Sequence, residues 1–317
     1  MQPYFFIAVS IKENLELCKK YAHAGLPSTI NGLWAYLEIR EGDYVSFLYG
    51  AKAHNLYKVL RKEAIEGSAF SYPWEHLSRR GKAVGFQYRL YLKPVRKFDE
   101  SLAREGFQYI AENLMLRGGY RKTHFQADQT TLQSASQLPE VYSGEPERLS
   151  LPPHNNFIPK FVRGTKTKQQ GVFQLREIIL HSLIRQHLSK SNKLDDFFGI
   201  LGFKGFAPED FEILTEKALP RGYVDLLIKD SKPMGRSRII AVEVKLSRAG
   251  KKDVEQLRRY VGELGEECVA GVIIAEKIPK RTSSPDVRLM KYDFGGIDLK
   301  EPRAFEELLS AIQISSE

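Results

Sequence analysis

The chain has 317 residues, 42% of them hydrophobic and 27% charged, which is typical of a globular protein of about two domains. No apolar run approaches the length of a membrane helix, and Cys18 and Cys268 show no metal-ligand spacing, so we expect ordinary core thiols of a reducing compartment. The formal charge of +9 favours a polyanionic partner. Because the opening MQPYFFIAVS lacks signal-peptide features, we expect a cytoplasmic protein.

The first part of the chain contains several short strand-like segments, which predict a compact α+β unit built as a small barrel. Ser10 is predicted to cap the first helix, with Glu13 completing a capping box. The predicted strands are Tyr4–Val9, Trp34–Ile39, Tyr44–Tyr49, Leu56–Leu60 and Gly85–Leu92.

The middle of the chain loses this regularity. A helix is predicted over Glu100–Leu116, and glycine, proline and small polar residues dominate after it. We therefore expect a first domain over 1–116, a linker or extended arm over 117–170, and a second domain over 171–317. The end of this arm is basic, which fits either a solvated tether or an arm that follows DNA; its cations are Lys160, Arg163, Lys166 and Lys168.

From about residue 171 onward the pattern is typical of an α/β domain. Its predicted helices are Val172–His187, Asp253–Leu264 and Ala304–Ile312. Its predicted strands are Tyr223–Ile228, Ile239–Leu246, Val269–Ala275 and Met290–Phe294.

Two neighbouring predicted strands carry acids among apolar residues: Asp225 in one, and Glu243 with Lys245 in the other. If these strands form a hairpin turning near Met234, Asp225 lies opposite Glu243. Facing carboxylates repel each other, and a bound Mg²⁺ or Mn²⁺ removes that repulsion because hard cations prefer oxygen ligands. The hairpin therefore predicts a metal site, although Glu243 and Lys245 taken alone also fit a simple ion pair.

The segments GYVDLLI and AVEVKL resemble the core motif of the PD-(D/E)XK nucleases, with Asp225 as the first acid and Glu243-Val244-Lys245 as the triplet. The proline that precedes the first acid in this motif is Val224 here. DVEQLRRYV resembles the Q-x-x-x-Y signature of the RecB-like branch, carried by Gln256 and Tyr260. The surrounding sequence resembles the nuclease domain of the NucS (EndoMS) endonucleases.

This resemblance implies a restriction-endonuclease-like α/β fold with a mixed central sheet and metal-assisted phosphodiester hydrolysis that leaves 5′-phosphates. By the family pattern Asp225, Glu243 and the backbone carbonyl of Val244 hold Mg²⁺ or Mn²⁺, and Lys245 orients or activates water. Gln256 and Tyr260 would contact phosphate or support the site.

The family pattern also places a glutamate of the preceding helix near the metal, either as a direct ligand or through water. Glu177 is the acid of that helix and inherits this role. A second interpretation stays open, because Glu177 belongs to a polar stripe of the kind that faces solvent, formed by Gln174, Glu177, His181 and Arg185.

Three segments near the start, YFFIAVSIKENLELC, GLWAYLEIREGDYVSFLYG and SYPWEHL, resemble the EVE/YTH group of PUA-like domains. That resemblance implies a pocket in which aromatic rings stack on a flipped modified base. The candidate base-binding residues are Trp34, Trp74, Tyr49, Tyr72, Ser10 and Asn14. Simpler roles compete: Ser10 as a helix cap, Trp34 as barrel core and Trp74 as a loop anchor. Nearby, Arg79, Arg80 and Lys82 form a basic loop.

These patterns together favour a modification-dependent DNA endonuclease that cuts double-stranded DNA near a modified or flipped base. Cutting both strands needs two active sites, which favours a homodimer. Two alternatives stay open: a repair endonuclease for mismatched or deaminated bases, and a non-catalytic reader of modified DNA or RNA.

Overall fold

A computed structural model describes residues 2–50, 52–66, 71–74, 85–98, 123–137, 139–164, 169–279 and 286–316. The chain divides into two compact units, Gln2–Ile158 and Pro159–Glu317. The boundary therefore lies inside the segment 117–170 that the sequence predicts as a linker. None of the helices in these ranges is both long and apolar enough to cross a membrane.

The N-terminal unit is built on one mixed sheet with the strand order β2-β5-β4-β3-β1-β6, to which β7 and β8 add short pairings. Strand β1 runs parallel to β3, and its apolar sequence YFFIA is buried. The described residues show no pairing between the end strands β2 and β6, so the small barrel stays a prediction. The strands are β1 Tyr4–Ala8, β2 His23–Leu26, β3 Tyr44–Tyr49, β4 Lys52–Glu66, β5 Tyr88–Lys97, β6 His124–Ala127, β7 Glu140–Val141 and β8 Asn155–Asn156.

Two local predictions for this unit are wrong. Helix α1 (Lys12–Tyr21) has Ile11 at its N-cap with no side-chain cap, so the capping box of Ser10 and Glu13 does not form. The predicted strand Trp34–Ile39 lies mostly in helix α2 (Ile30–Glu38), where the Thr29 hydroxyl accepts a hydrogen bond from the first turn. A short run that is apolar on every side does not distinguish a buried helix from a buried strand, and the cap favours the helix.

Part of the predicted linker is also folded. Strand β6 pairs with β1, and helix α3 (Gln129–Gln137) follows it directly. Asp128 accepts a hydrogen bond from the backbone N–H of Thr131 at 2.9 Å, which supports the first turn of this helix. The hydrophobic pattern of the sequence does not predict α3, because few of its residues, including Leu132 and Ala135, are buried. The helix predicted over Glu100–Leu116 lies outside the described residues.

The C-terminal unit has a mixed central sheet, as the sequence predicts, with the order β11-β12-β13-β14-β15-β17. Its middle strands β13, β14 and β15 are parallel, and the other pairings are antiparallel. The strands are β11 Phe211–Leu219, β12 Gly222–Asp230, β13 Ile239–Arg248, β14 Cys268–Lys277, β15 Val287–Asp293 and β17 Gln313–Ser316. A second, three-stranded sheet contains β9 Lys160–Val162, β10 Val172–Gln174 and β16 Arg303–Ala304.

The helices of this unit are α4 Glu177–Leu188, α5 Ser191–Leu201, α6 Lys251–Leu264 and α7 Phe305–Ala311. The predicted helix Val172–His187 is too long at its start, because its first residues pair with β9 as strand β10. Helix α6 packs closely on β14: a Cβ at Gly271 would lie 2.9 Å from Val261. Helix α4 contacts β11, β12 and β13, which brings its first turn close to the acidic strands.

A buried histidine in the N-terminal unit leads to a pH-dependent prediction. Burial lowers the pKa of His23 to about 3, and the nearby charges of Arg89 and Arg61 contribute. In the unfolded chain a histidine titrates near 6.5, so His23 stabilises the fold fully above that pH and loses its contribution as pH falls. We expect His23 to contribute about 1.4 kcal/mol per pH unit to the fall in the unfolding free energy below pH 6.

Chemical denaturation at pH 7, 6, 5 and 4 measures this slope. The variant His23→Gln should fall less steeply than the wild type across that range. Equal slopes would show that His23 does not stay neutral in the folded protein.

Candidate active site

Asp225 and Glu243 come together across the hairpin of β12 and β13. The ladder pairs Leu226 with Val242, so one further step places Asp225 opposite Glu243. The register predicted from a turn near Met234 is thus confirmed. The Asp225 carboxylate accepts a hydrogen bond from the backbone N–H of Val244 at 2.8 Å, which fixes this acid against the neighbouring strand.

Glu243 is almost completely buried, with 1% of its surface exposed. Burial, together with the negative charge of Asp225, raises the pKa of Glu243 to about 8, although Lys245 acts to lower it. The ammonium of Lys245 lies 2.8 Å from Glu243 Oε1. Burial alone lowers the pKa of Lys245, but the surrounding carboxylates of Glu243, Asp225 and Glu177 outweigh burial and raise it, so Lys245 remains a cation.

Glu177, the first residue of α4, reaches the same site. One of its oxygens accepts a hydrogen bond from the backbone N–H of Leu246 at 3.1 Å, and the other lies 3.4 Å from Lys245 Nζ. Of the two roles left open by the sequence, these contacts favour the one at the site.

Gln256 and Tyr260 approach from α6. The amide of Gln256 donates to Glu243 Oε1 at 3.2 Å and to the Tyr260 hydroxyl at 3.1 Å. Tyr260 in turn lies against Gly222 at the start of β12, where a Cβ would fall 2.3 Å from the tyrosine oxygen. The side chains expected from the nuclease motif therefore converge from β12, β13, α4 and α6.

His181 is a site neighbour that sequence reasoning missed. Its Nε2 lies 3.5 Å from Asp225 Oδ2, and the residue is buried. Arg185, one turn further along α4, is buried as well, so the polar stripe interpreted as a solvent face does not lie in solvent at these two positions. A polar stripe on a helix fits a buried polar site as well as it fits a face exposed to solvent. The feature that could have identified the buried site is that the stripe continues directly from Glu177.

A second missed feature holds the end of β13. The ladder between β13 and β14 is irregular between Lys245 and Arg248. At this irregularity the Tyr292 hydroxyl donates to the Leu246 carbonyl at 2.6 Å, and Arg163 contacts the same carbonyl while pairing with Glu276. Since the N–H of Leu246 binds Glu177, Tyr292 fixes the stretch of backbone that positions this acid.

For the nuclease reaction that the sequence motif implies, we expect Tyr292→Phe to lower the single-turnover rate of DNA cleavage about tenfold and to leave DNA affinity unchanged, because only the hydrogen bond that orders the backbone is lost. The cost in stability should be about 1 kcal/mol. Ile312→Val, a buried change of similar cost in the same unit, is the control and should keep the wild-type rate. Equal rate losses in both variants would reduce Tyr292 to a general stabilising role.

The donor atoms present fit a hard divalent cation. Glu243 Oε2 is buried and has no hydrogen-bond partner among the residues that the structure describes, an arrangement that is costly unless a ligand completes it. Within the described ranges, three or more acidic, histidine or cysteine side chains do not gather as a metal cluster. The predicted set of Asp225, Glu243 and the Val244 carbonyl therefore supplies few protein ligands, which leaves positions for water and phosphate, as Mg²⁺ sites usually do.

The six candidate base-binding residues do not all meet. Ser10, Asn14 and Trp74 line one small cavity of about 50 Å³ in the N-terminal unit. The Trp74 ring packs so closely on Gly25 that a Cβ there would lie 2.4 Å from it. The structure thus brings three of the candidates together.

The other three candidates lie elsewhere. Trp34 is buried, with its ring 4.3 Å from that of His124, which favours its role in the core. Tyr49 lines a different, larger groove, and Tyr72 is exposed. The basic loop with Arg79, Arg80 and Lys82 lies outside the described residues.

Comparison with known protein families matches residues 202–290 to the family described as "Endonuclease NucS C-terminal domain". This range is similar to a PD-(D/E)XK-like nuclease domain, and it contains the hairpin acids, Lys245, Gln256 and Tyr260. Glu177, Tyr292 and the N-terminal unit lie outside it. No curated protein matches the chain.

Proposed function

We propose that this protein is a metal-dependent endonuclease that hydrolyses phosphodiester bonds of double-stranded DNA. The observation that carries the proposal is the convergence of Asp225, Glu243, Lys245 and Glu177 around a buried carboxylate oxygen that has no hydrogen-bond partner. The match of residues 202–290 to a nuclease domain supports the same reaction class.

Each residue of the site would have its own role in this hydrolysis. Asp225, Glu243 and the Val244 carbonyl would hold Mg²⁺ or Mn²⁺, which supplies a Lewis acid for the phosphate and lowers the pKa of a bound water. Lys245 remains protonated beside these carboxylates, so it serves to orient water or to offset phosphate charge. The hydrogen bonds from Gln256 and from the Val244 N–H keep both acids in place.

The N-terminal unit is proposed to sense a modified or flipped base, since the nuclease site contains nothing that reads sequence. The shared cavity of Ser10, Asn14 and Trp74 supports this role. Its volume of about 50 Å³ lies far below the roughly 300 Å³ of small ligand pockets, so a base enters only if Trp74 or its neighbours move. Cutting of both strands further implies a homodimer, which sedimentation of the full chain tests.

Repair of mismatched or deaminated bases is the second candidate function, favoured by the similarity of residues 202–290 to NucS. A reader without catalysis is the third, and the complete set of acids and Lys245 disfavours it. Cleavage assays on modified, mismatched and plain duplexes separate the three. We expect the modified duplex to be cut fastest, with Mg²⁺ or Mn²⁺ and not with EDTA.

The outcomes of that assay differ for each candidate. Preference for the mismatched duplex would move the function to repair, and equal cutting of every duplex would remove the sensing role. A chain that cuts none of them with either metal would not be a nuclease. Trp74→Ala should lose the preference between duplexes and keep basal cutting, because Trp74 belongs to the N-terminal unit and is not one of the nuclease residues.

A further inference from the structure

A groove of about 740 Å³ lies beside α1 in the N-terminal unit. It runs between that helix, the turn from β3 to β4, the end of β5 and the loop after β7; we call it the α1 groove. Five lysines line it, namely Lys12, Lys19, Lys20, Lys52 and Lys97. The small cavity with Ser10, Asn14 and Trp74 also borders α1, through different residues of that helix.

Two of the five lysines are neutralised by acids. Lys19 pairs with Glu16 at 3.2 Å, and Lys20 pairs with Glu147 at 3.1 Å. In the part of the chain that the structure describes, the three others form no ion pair, and the groove contains one further acid, Glu145. The described residues that line the groove therefore include more lysines than acids, which leaves an excess of positive charge there.

A half-buried histidine, His54, lies in the groove wall among these charges. Burial lowers the pKa of His54 and the positive charge of Lys19 lowers it further, whereas Glu16 and a backbone hydrogen bond with Tyr49 raise it. The Nε2 atom of His54 is buried and has no hydrogen-bond partner among the described residues. The wall thus contains a polar atom that the fold leaves unsatisfied, next to the excess of positive charge.

Aromatic rings complete the wall. Tyr49, Phe98 and Tyr142 line the groove and are only partly buried, so ring surface lies next to the lysines. Cations flanked by rings suit a nucleic-acid strand, whose phosphates bind lysine and whose sugars and bases contact aromatic surface. Lysine is a point charge and lacks the planar, bidentate guanidinium group of arginine. These contacts would therefore not read the base sequence.

We propose that the α1 groove binds the phosphate backbone of a DNA strand without sequence preference. This inference rests on the proposed function, in that the strand is part of the nuclease's substrate. A solvated basic surface is the simpler explanation of the lysines. It does not account for a groove of about 740 Å³ that combines them with aromatic surface and a histidine nitrogen that has no hydrogen-bond partner among the described residues.

Salt-dependent DNA binding by the full chain in EDTA tests the groove without cleavage. Replacing Lys12, Lys52 and Lys97 together by Gln should reduce the slope of log affinity against log salt by about 2.7 on a plain duplex, if each contacts one phosphate. We expect binding at 100 mM salt to weaken at least about tenfold. The control variant replaces three cations of the same unit that do not line the groove, Lys58, Lys93 and Arg148.

The control should keep the wild-type slope, and the same three groove lysines changed to Arg should restore it. A wild-type slope in the groove Gln variant would overturn the inference, as would an equal loss in the control, which reports net charge alone. Circular dichroism and thermal unfolding establish that each variant folds. Parallel cleavage by the wild type with Mg²⁺ separates the two proposals: no cleavage counts against the nuclease, whereas cleavage with unaltered binding by the groove variant counts against the groove.

Discussion

Glu243→Gln is expected to lower metal-dependent DNA cleavage by at least about 10³-fold while leaving DNA binding in place. The substitution keeps the shape of the side chain and removes one of two acids that face each other across the β12–β13 hairpin. Because burial already raises the pKa of Glu243 to about 8, glutamine resembles the protonated acid, and the fold should persist. Single-turnover cleavage and equilibrium DNA binding measure the two effects separately.

The same variant tests metal binding without using activity. A metal at about 100 times its Kd adds about 2.7 kcal/mol to stability, so saturating Mg²⁺ or Mn²⁺ should raise the wild-type melting temperature by several degrees. Glu243→Gln should lose most of this shift. Glu255→Gln, an exposed change of the same chemistry on α6, should keep both the shift and the activity. An equal shift in wild type and Glu243→Gln would place the metal elsewhere.

Lys245→Gln should lower cleavage by about 10²- to 10³-fold, since it removes the cation among three carboxylates. The ammonium lies 2.8 Å from Glu243 and 3.4 Å from Glu177, and it lowers the pKa of Glu243. Without it the pKa of Glu243 rises further, so metal binding should require a higher pH than in the wild type. The pH dependence of the Mg²⁺-induced thermal shift measures this change.

Lys251→Gln is the matched control because this lysine is exposed on the first turn of α6. It should retain wild-type cleavage and the wild-type pH dependence of the thermal shift. If Lys245→Gln cleaves DNA as fast as the control, the residue is only an ion-pair partner of Glu243 and takes no part in the reaction.

The core of the candidate site was predictable from local sequence because its parts are close along the chain. Asp225 and Glu243 belong to one hairpin, and counting residues from the turn near Met234 gives the observed register. Gln256 and Tyr260 lie four residues apart on one helix, so they were expected on a common face, and they contact each other at 3.1 Å. Each inference needed only the regular geometry of a strand or a helix.

Local patterns failed where distant segments decide the structure. Trp34 lies in a helix whose sequence also fits a buried strand, and its ring meets His124, which belongs to a strand far along the chain. The polar composition of 123–137 predicts a linker, yet strand β6 in that segment pairs with β1. In both cases contacts between residues far apart in the sequence determined the secondary structure, which the local hydrophobic pattern left ambiguous.

The acids, the lysine and the hairpin that brings them together follow from the sequence, because strand alternation and turn position are local properties. The tertiary structure selects the other groups that join them. It buried His181 against Asp225, and it placed the Tyr292 hydroxyl on the Leu246 carbonyl across a sequence separation of 46 residues. It also assembled the α1 groove from a helix, three strands and a loop. Such contacts depend on how separate elements pack, and no spacing within one element encodes them.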